Sequence, residues 1–393
     1  MKLLYLILFM VLTVFNAYGQ EAIVWEFPTK AGVYSSLAAD ENCIYIGSND
    51  SCLYALNKKS GQLKWKFRTN GQLRSTPLIY NESVIFNSTD GNVFSLRKSD
   101  AHLQWTFKTN GEKSYDLWDY YISSPVCSEN KIVIGSGDGN VYAIEPDSGK
   151  LIWKFKTNGI VHATPLVNNN KVYIGSYDGV FYALNAKTGQ PIWQFKTVGN
   201  AYFPKGEIQK GAAIYKQSVI FGCRDYNIYA LDIETGRGLW NIVEKGSWVI
   251  ATPLVSQDAI YVGTSDTHRF NILQARTGDL KHSFPLNMRV YAEAVSYKNE
   301  IIFGCFNGKL YSLNPANAEI QQIFQTKGSK KNYYTIYGQN DAFKESFSLY
   351  GNDVEASEKK ILTLGSILST PFIEQGIAYF GDSNGVIYAL RLK

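Results

Sequence analysis

Reactive side chains are few in this chain, and their spacing argues against most catalytic constellations. The four histidines, His102, His162, His268 and His282, fall in separate segments that cannot converge as a metal site. No Gly-x-Ser-x-Gly elbow leads from a strand into a helix. No pair of carboxylates stands out for acid–base work. Gly135-Ser136-Gly137-Asp138-Gly139 has the composition of a phosphate loop, but no helix follows it, so it reads as a hairpin turn. The five cysteines, Cys43, Cys52, Cys127, Cys223 and Cys305, include no adjacent pair and read as buried small residues, not a disulfide framework. No catalytic residue and no metal ligand is assigned, and the chain leans away from being an enzyme.

Two sets of residues could bind. The first precedes a recurring Ser/Ala-Thr/Ser-Pro start: Tyr34, Arg74, Ile122, His162, Lys210, Ile250, Tyr291 and Leu368. Within it Arg74, His162 and Lys210, with Tyr291, would give a partly basic mouth that attracts a carboxylate. The second set is aromatic: Tyr115, Trp118, Tyr121, Tyr202, Phe203 and Trp248. Aromatic side chains on loops offer contact area to proteins, glycans or flat ligands at low entropic loss.

The elements that position these residues are repeats. One hairpin recurs eight times, for example IVIGSGDGNVYAI from Ile132, VYIGSYDGVFYAL from Val172 and AYFGDSNGVIYAL from Ala378. Two alternating runs flank an Asp-Gly turn, a hairpin signal. A Thr-Gly turn and a strand bearing Trp follow, at Trp25, Trp65, Trp105, Trp153, Trp193 and Trp240, with His282 and Ile323 continuing the slot. The 40-residue step from Trp25 to Trp65 to Trp105 suits a four-stranded propeller blade. The expected fold is all-β, an eight-bladed propeller of four-stranded antiparallel blades spanning residues 20–393 as one domain. The eighth unit stops after its third strand, and Ile23-Val24-Trp25-Glu26-Phe27 matches the missing fourth, so the N-terminal strand is expected to close the ring.

Departures from the repeat mark loops. From the outer Trp to the next inner Pro takes 12 residues in Trp65–Pro77 and Trp153–Pro165, but 20 in Trp105–Pro125 and 48 in Ile323–Pro371. Insertions are therefore expected at about 112–120, 200–209 and 327–363, all on the connection from outermost to innermost strand. If the first two are free binding loops, deleting either abolishes partner capture and spares the fold.

The run strand-Gly-x-x-Asp-Gly-x-x-Tyr-Ala-Leu, Thr-Gly, Trp, nearly complete from Tyr173 to Trp193, closely resembles the pyrroloquinoline-quinone (PQQ)-type propeller repeat over residues 22–393. The resemblance implies the propeller fold and two branches of function. One is the quinoprotein dehydrogenases, which hold PQQ with calcium on the axis and typically carry a vicinal Cys-Cys disulfide, absent here. The other is the non-catalytic propellers, including an outer-membrane protein assembly factor anchored through a lipid-bearing cysteine. The leading expectation is a non-catalytic scaffold that binds a protein, small molecule or glycan on its insertion face. The alternatives are an alcohol- or sugar-oxidising quinoprotein and an outer-membrane assembly factor.

Lys2, the apolar run Leu3–Phe15 and Ala17-Tyr18-Gly19 read as a cleavable leader over residues 1–19, too short for a spanning helix. No cysteine stands near the cleavage point, so a lipid anchor is not expected. The mature chain is expected to be periplasmic or secreted, monomeric and without a transmembrane segment. A net charge of +5 with no Lys/Arg block argues against nucleic acid.

Overall fold

The computed structural model describes residues 23–393; the leader reading of residues 1–19 lies outside them. These residues form eight four-stranded antiparallel sheets. In seven blades the strands, here A to D, follow chain order from the axis outwards. The eighth joins Phe372–Glu374, Ile377–Gly381 and Val386–Arg391 to Ile23–Pro28 from the other end of the chain. Trp25 lies opposite Ala389 and Phe27 opposite Ile387, so the ring is closed by main-chain pairing as the truncated last repeat implied.

Strands B and C are buried on both faces, because each blade is sandwiched between neighbours; Cys43–Gly47 has no exposed residue. Strand D alternates, and it carries one extra residue just before the tryptophan. In blade 3, Ala143 faces Trp153 and Ile144 faces Leu151, skipping Ile152. This bulge turns the indole inward. The Trp153 N–H donates to the Ala186 carbonyl of the next blade at 3.0 Å. Its ring lies flat on Gly189, where an added Cβ would come within 2.6 Å of it. Gly189 also holds φ +72°, so this turn admits no other residue without strain. Trp25, Trp65, Trp105 and Trp193 make the same indole-to-carbonyl bond to the blade that follows each.

The turn aspartates have a second role that the turn pattern did not disclose. Asp178 accepts from the Val180 amide, the Tyr182 hydroxyl and the Asn158 amide of the preceding blade. Asp138 repeats this with Asn140, Tyr142 and Asn110. Each Asp therefore shapes its own turn and latches the blade before it.

One feature was left open by the sequence and one differs from expectation. The third insertion contains two helices, α1 (Lys327–Ile336) and α2 (Val354–Leu362), capped by Thr326 and Asp353, whose side chains accept from Ser329 and Ala356 amides. Cys127 is exposed, not buried, because it is the middle residue of the short inner strand Val126–Ser128. The other four cysteines are buried, and all five are free thiols. Among the described residues no helix is long and apolar enough to cross a membrane.

Removing residues 20–29 takes out the strand that closes the ring. The thermal midpoint is expected to fall by at least ~5 °C; an unchanged melting curve would contradict this account of closure.

Candidate functional site

The functional face is built from two positions of each blade. One is the second residue after strand B, in the B–C turn, such as Tyr177 and Arg224. The other is the lead-in to strand A, where the insertions lie. The first insertion, Glu112–Tyr121, runs across the axis. Its bonds reach Arg74 in blade 2, His162 in blade 4, Arg224 in blade 5 and Leu368 in blade 8.

Asp119 is the pivot. Its side chain is fully out of solvent. One carboxylate oxygen accepts from His162 Nδ1 at 2.9 Å and from the Tyr177 hydroxyl at 2.8 Å; the other accepts from the Tyr115 amide at 2.8 Å. The other ring nitrogen of His162 meets Glu112 Oε2 at 3.2 Å, and that oxygen also accepts from the Gly137 amide at 2.7 Å. Gly137 is small for a reason: a Cβ there would lie 2.4 Å from the Lys113 nitrogen, so any larger residue would push the insertion off the turn. Arg224, also without exposure, pairs with Asp116 and donates to Gln209 Oε1 at 2.7 and 2.9 Å. Its guanidinium lies 4.6 Å from the Trp248 ring centroid. Arg289 grips Glu358 of α2 through Nη1 at 2.8 and 3.0 Å, and Glu358 also accepts from the Tyr120 hydroxyl.

These contacts revise two expectations. The segment 112–120 is not a detachable loop. It is a plug whose acids neutralise buried cations, so its removal would leave His162 and Arg224 without a carboxylate. Arg74, His162 and Lys210 do come together, but not as a basic mouth open to solvent. His162 lies between two carboxylates. Arg74 donates to Asn49 Oδ1 and to the Asp119 carbonyl. Lys210 Nζ sits 3.8 Å over the Tyr121 ring and donates to the Tyr291 carbonyl.

The aromatic set divides. Tyr121, Tyr291 and Trp248 are buried, and Tyr121 spans the axis to the Leu368 carbonyl at 2.9 Å. Trp118 and Phe203 meet Trp248 edge-on at 5.5 and 4.9 Å, knitting the first two insertions together. Tyr115 stacks near Tyr177 and donates to Glu207 at 2.6 Å, yet remains 40% exposed. Tyr202 projects into solvent, 80% exposed. In the third insertion Tyr334 and Tyr350 are exposed as well.

Beneath the plug lies an axial cavity of about 440 Å³. Tyr121, His162, Arg74 and Lys210 line it at the plug end, and the starts of the inner strands form its wall. It has room for a flat cofactor and two cations for that cofactor's carboxylates. Calcium does not fit it: Glu293 is the one carboxylate among its lining residues. Among the described residues no group of three or more His, Cys, Asp or Glu side chains is placed to hold a metal ion.

Several site residues escaped the sequence reading: Glu112, Asp116, Asp119, Tyr177, Arg224, Arg289, Glu293 and Glu358. The available signal was variation at fixed repeat positions, as where Arg224 stands where the other blades have an uncharged residue. Burial alone would lower the His162 pKa, but Asp119 and then Glu112 raise it to about 9. His162 is therefore an imidazolium at neutral pH. Its pKa lies above the unfolded value, so its contribution, up to about 3 kcal/mol, is complete below about pH 6.5 and is lost as pH rises through about 9. The wild-type melting temperature is expected to fall between about pH 6 and about pH 9.5. The His162→Gln variant should start lower and lack that component, and parallel pH curves would refute the assignment.

No curated protein matches this chain significantly by sequence. Among solved structures, BamB from Moraxella catarrhalis superposes with a TM-score of 0.70 at 14% identity, covering 95% of this chain and 100% of that one. A europium-containing methanol dehydrogenase gives 0.70 at 12% identity, with 94% and 93% coverage. The quinohemoprotein alcohol dehydrogenase of Comamonas testosteroni gives 0.71 at 10% identity, with 94% and 76% coverage. At these identities the likeness establishes the propeller fold alone. Residues 11–119 and 116–247 both match one protein family, and together they take in more than half of the chain. The chain therefore belongs to the PQQ-like propeller family described as outer membrane protein assembly factor BamB.

Proposed function

We propose that this protein is an exported, non-catalytic scaffold that docks a protein partner on its insertion face, in the service of outer-membrane protein assembly. One observation carries the reading. Three acid–base pairs are buried under that face, Asp119 with His162, Asp116 with Arg224 and Glu358 with Arg289. Around them stand exposed aromatics on a rigid base: Tyr202, Tyr334, Tyr350 and Tyr115. Exposed aromatics backed by a packed cluster are what interface hot spots require. The acids and bases in these pairs are held by each other and not free to move protons. The family membership supports the assembly role, and the leader supports a periplasmic location.

The quinoprotein reading keeps one supporting observation, the axial cavity with Arg74 and Lys210. The donor set there does not serve calcium, so that reading ranks second.

Cells lacking the protein are expected to show reduced levels of folded outer-membrane β-barrel proteins, restored by the wild-type gene. A Tyr202→Ser/Tyr350→Ser double variant, produced at wild-type level, should fail to restore them, since losing two hot-spot aromatics weakens an interface roughly tenfold or more. Full restoration by the double variant, or unchanged levels in cells lacking the protein, would overturn the proposal.

A further inference from the structure

The axial cavity is encircled by one residue from each blade, at the position just before strand A. Six blades place a Ser or Thr there, Thr76, Ser124 and Thr164 among them. Several of these hydroxyls form a hoop: Ser124 Oγ accepts from the Thr76 amide at 2.9 Å, and Ser36 Oγ accepts from the Thr370 amide at 2.8 Å. Blade 5 breaks the hoop with Ala212. Blade 7 breaks it with Glu293, a carboxylate where the repeat prefers a neutral hydroxyl.

Glu293 has no compensating contact. Among the described residues no group hydrogen-bonds to it, and no cation lies within ion-pair distance of it. Lys210 is in the mirror position: its ammonium has a carbonyl and the Tyr121 ring, but no carboxylate in ion-pair contact. Burial pushes Lys210 down and Glu293 up in pKa, with each partly offsetting the other at a distance. Arg74 uses Nε and Nη1 on Asn49 and Asp119, and no partner is present for Nη2 among the described residues. Two cations and one anion thus face a shared cavity without meeting. All three are half-buried and turned to the cavity, and none has an opposite charge in ion-pair contact among the described residues, so a ligand of complementary charge would supply what is missing.

We propose that the axial channel binds a small zwitterion of the amino-acid class, its carboxylate on Lys210 and Arg74 and its ammonium on Glu293. Tyr121, Pro77, Pro125 and Pro165 supply apolar wall for a side chain, and about 440 Å³ accommodates an amino acid as large as phenylalanine. Buried Tyr121 and His162 close the insertion end, so the ligand enters from the opposite end of the channel. This site is separate from the exposed tyrosines of the docking face, so its failure would leave the scaffold reading standing.

The test is calorimetric titration of the mature protein with L-phenylalanine, L-glutamine and L-alanine. Phenylacetate and phenethylamine serve as analogues of phenylalanine that lack one charge each. At least one amino acid should bind saturably, with each single-charge analogue at least about tenfold weaker than phenylalanine if phenylalanine is the one that binds. Glu293→Thr places there a hydroxyl residue, as six of the eight blades have, so the variant should fold, checked by its melting curve. It should weaken the amino acid by about tenfold or more. Absence of saturable binding by all three amino acids would overturn the proposal. So would binding that Glu293→Thr leaves unchanged, or phenylacetate binding as tightly as phenylalanine.

Discussion

Six of the eight blades depend on a tryptophan finding the turn of the next blade. The contact combines a flat apolar overlap on the turn, a glycine in most blades, with one hydrogen bond from the indole N–H, and the bulge before the tryptophan aims it. No blade can bury both faces alone, so stability is held collectively and the ring must close. The chain meets that demand with its own N-terminal strand. The aspartate latches repeat the same logic at the B–C turns, where one carboxylate joins two blades.

This division of labour leaves a few positions free of structural duty, and the axial end of the molecule is built from them. The second residue after the last residue of strand B varies from Gly137 to Tyr177 to Arg224 without disturbing the hairpin. Once Arg224 and His162 are placed under a loop they become buried charges, and buried charges require partners. Asp116, Asp119 and Glu112 of the first insertion supply them. The insertion is consequently fixed by electrostatics as well as by packing. It converts an open channel mouth into a closed platform. What the platform offers a partner is then its rim, where Tyr202, Tyr334 and Tyr350 remain in solvent.

The architecture was legible because the repeat is written in short-range signals. Asp-Gly turns, alternation and the 40-residue spacing of tryptophans specify blade, order and closure without tertiary information. The site was legible only in outline. Spacing located the three insertions, and the lead-in register brought Arg74, His162 and Lys210 to one cavity. It did not reveal their partners, because Asp119 reaches His162 from 43 residues away and Tyr120 reaches Glu358 from 238 away. Aromatic composition could not separate Tyr202, which is exposed, from Tyr121, which is core. That difference depends on which loop crosses the axis. The helices of the third insertion were hidden for another reason: each is about ten residues long and held by capping and packing more than by a long apolar period.

The central claim is that the first insertion is a plug welded to the blades, with no life as a free binding loop. Hydrogen exchange of the amides in residues 112–121, followed by mass spectrometry, tests it most directly. A plug predicts protection at the hydrogen-bonded Tyr115, Trp118 and Asp119 amides, weakening as pH rises toward about 9 and His162 loses its charge, after correction for intrinsic exchange rates. Exchange as fast as that around exposed Tyr202 would contradict the account.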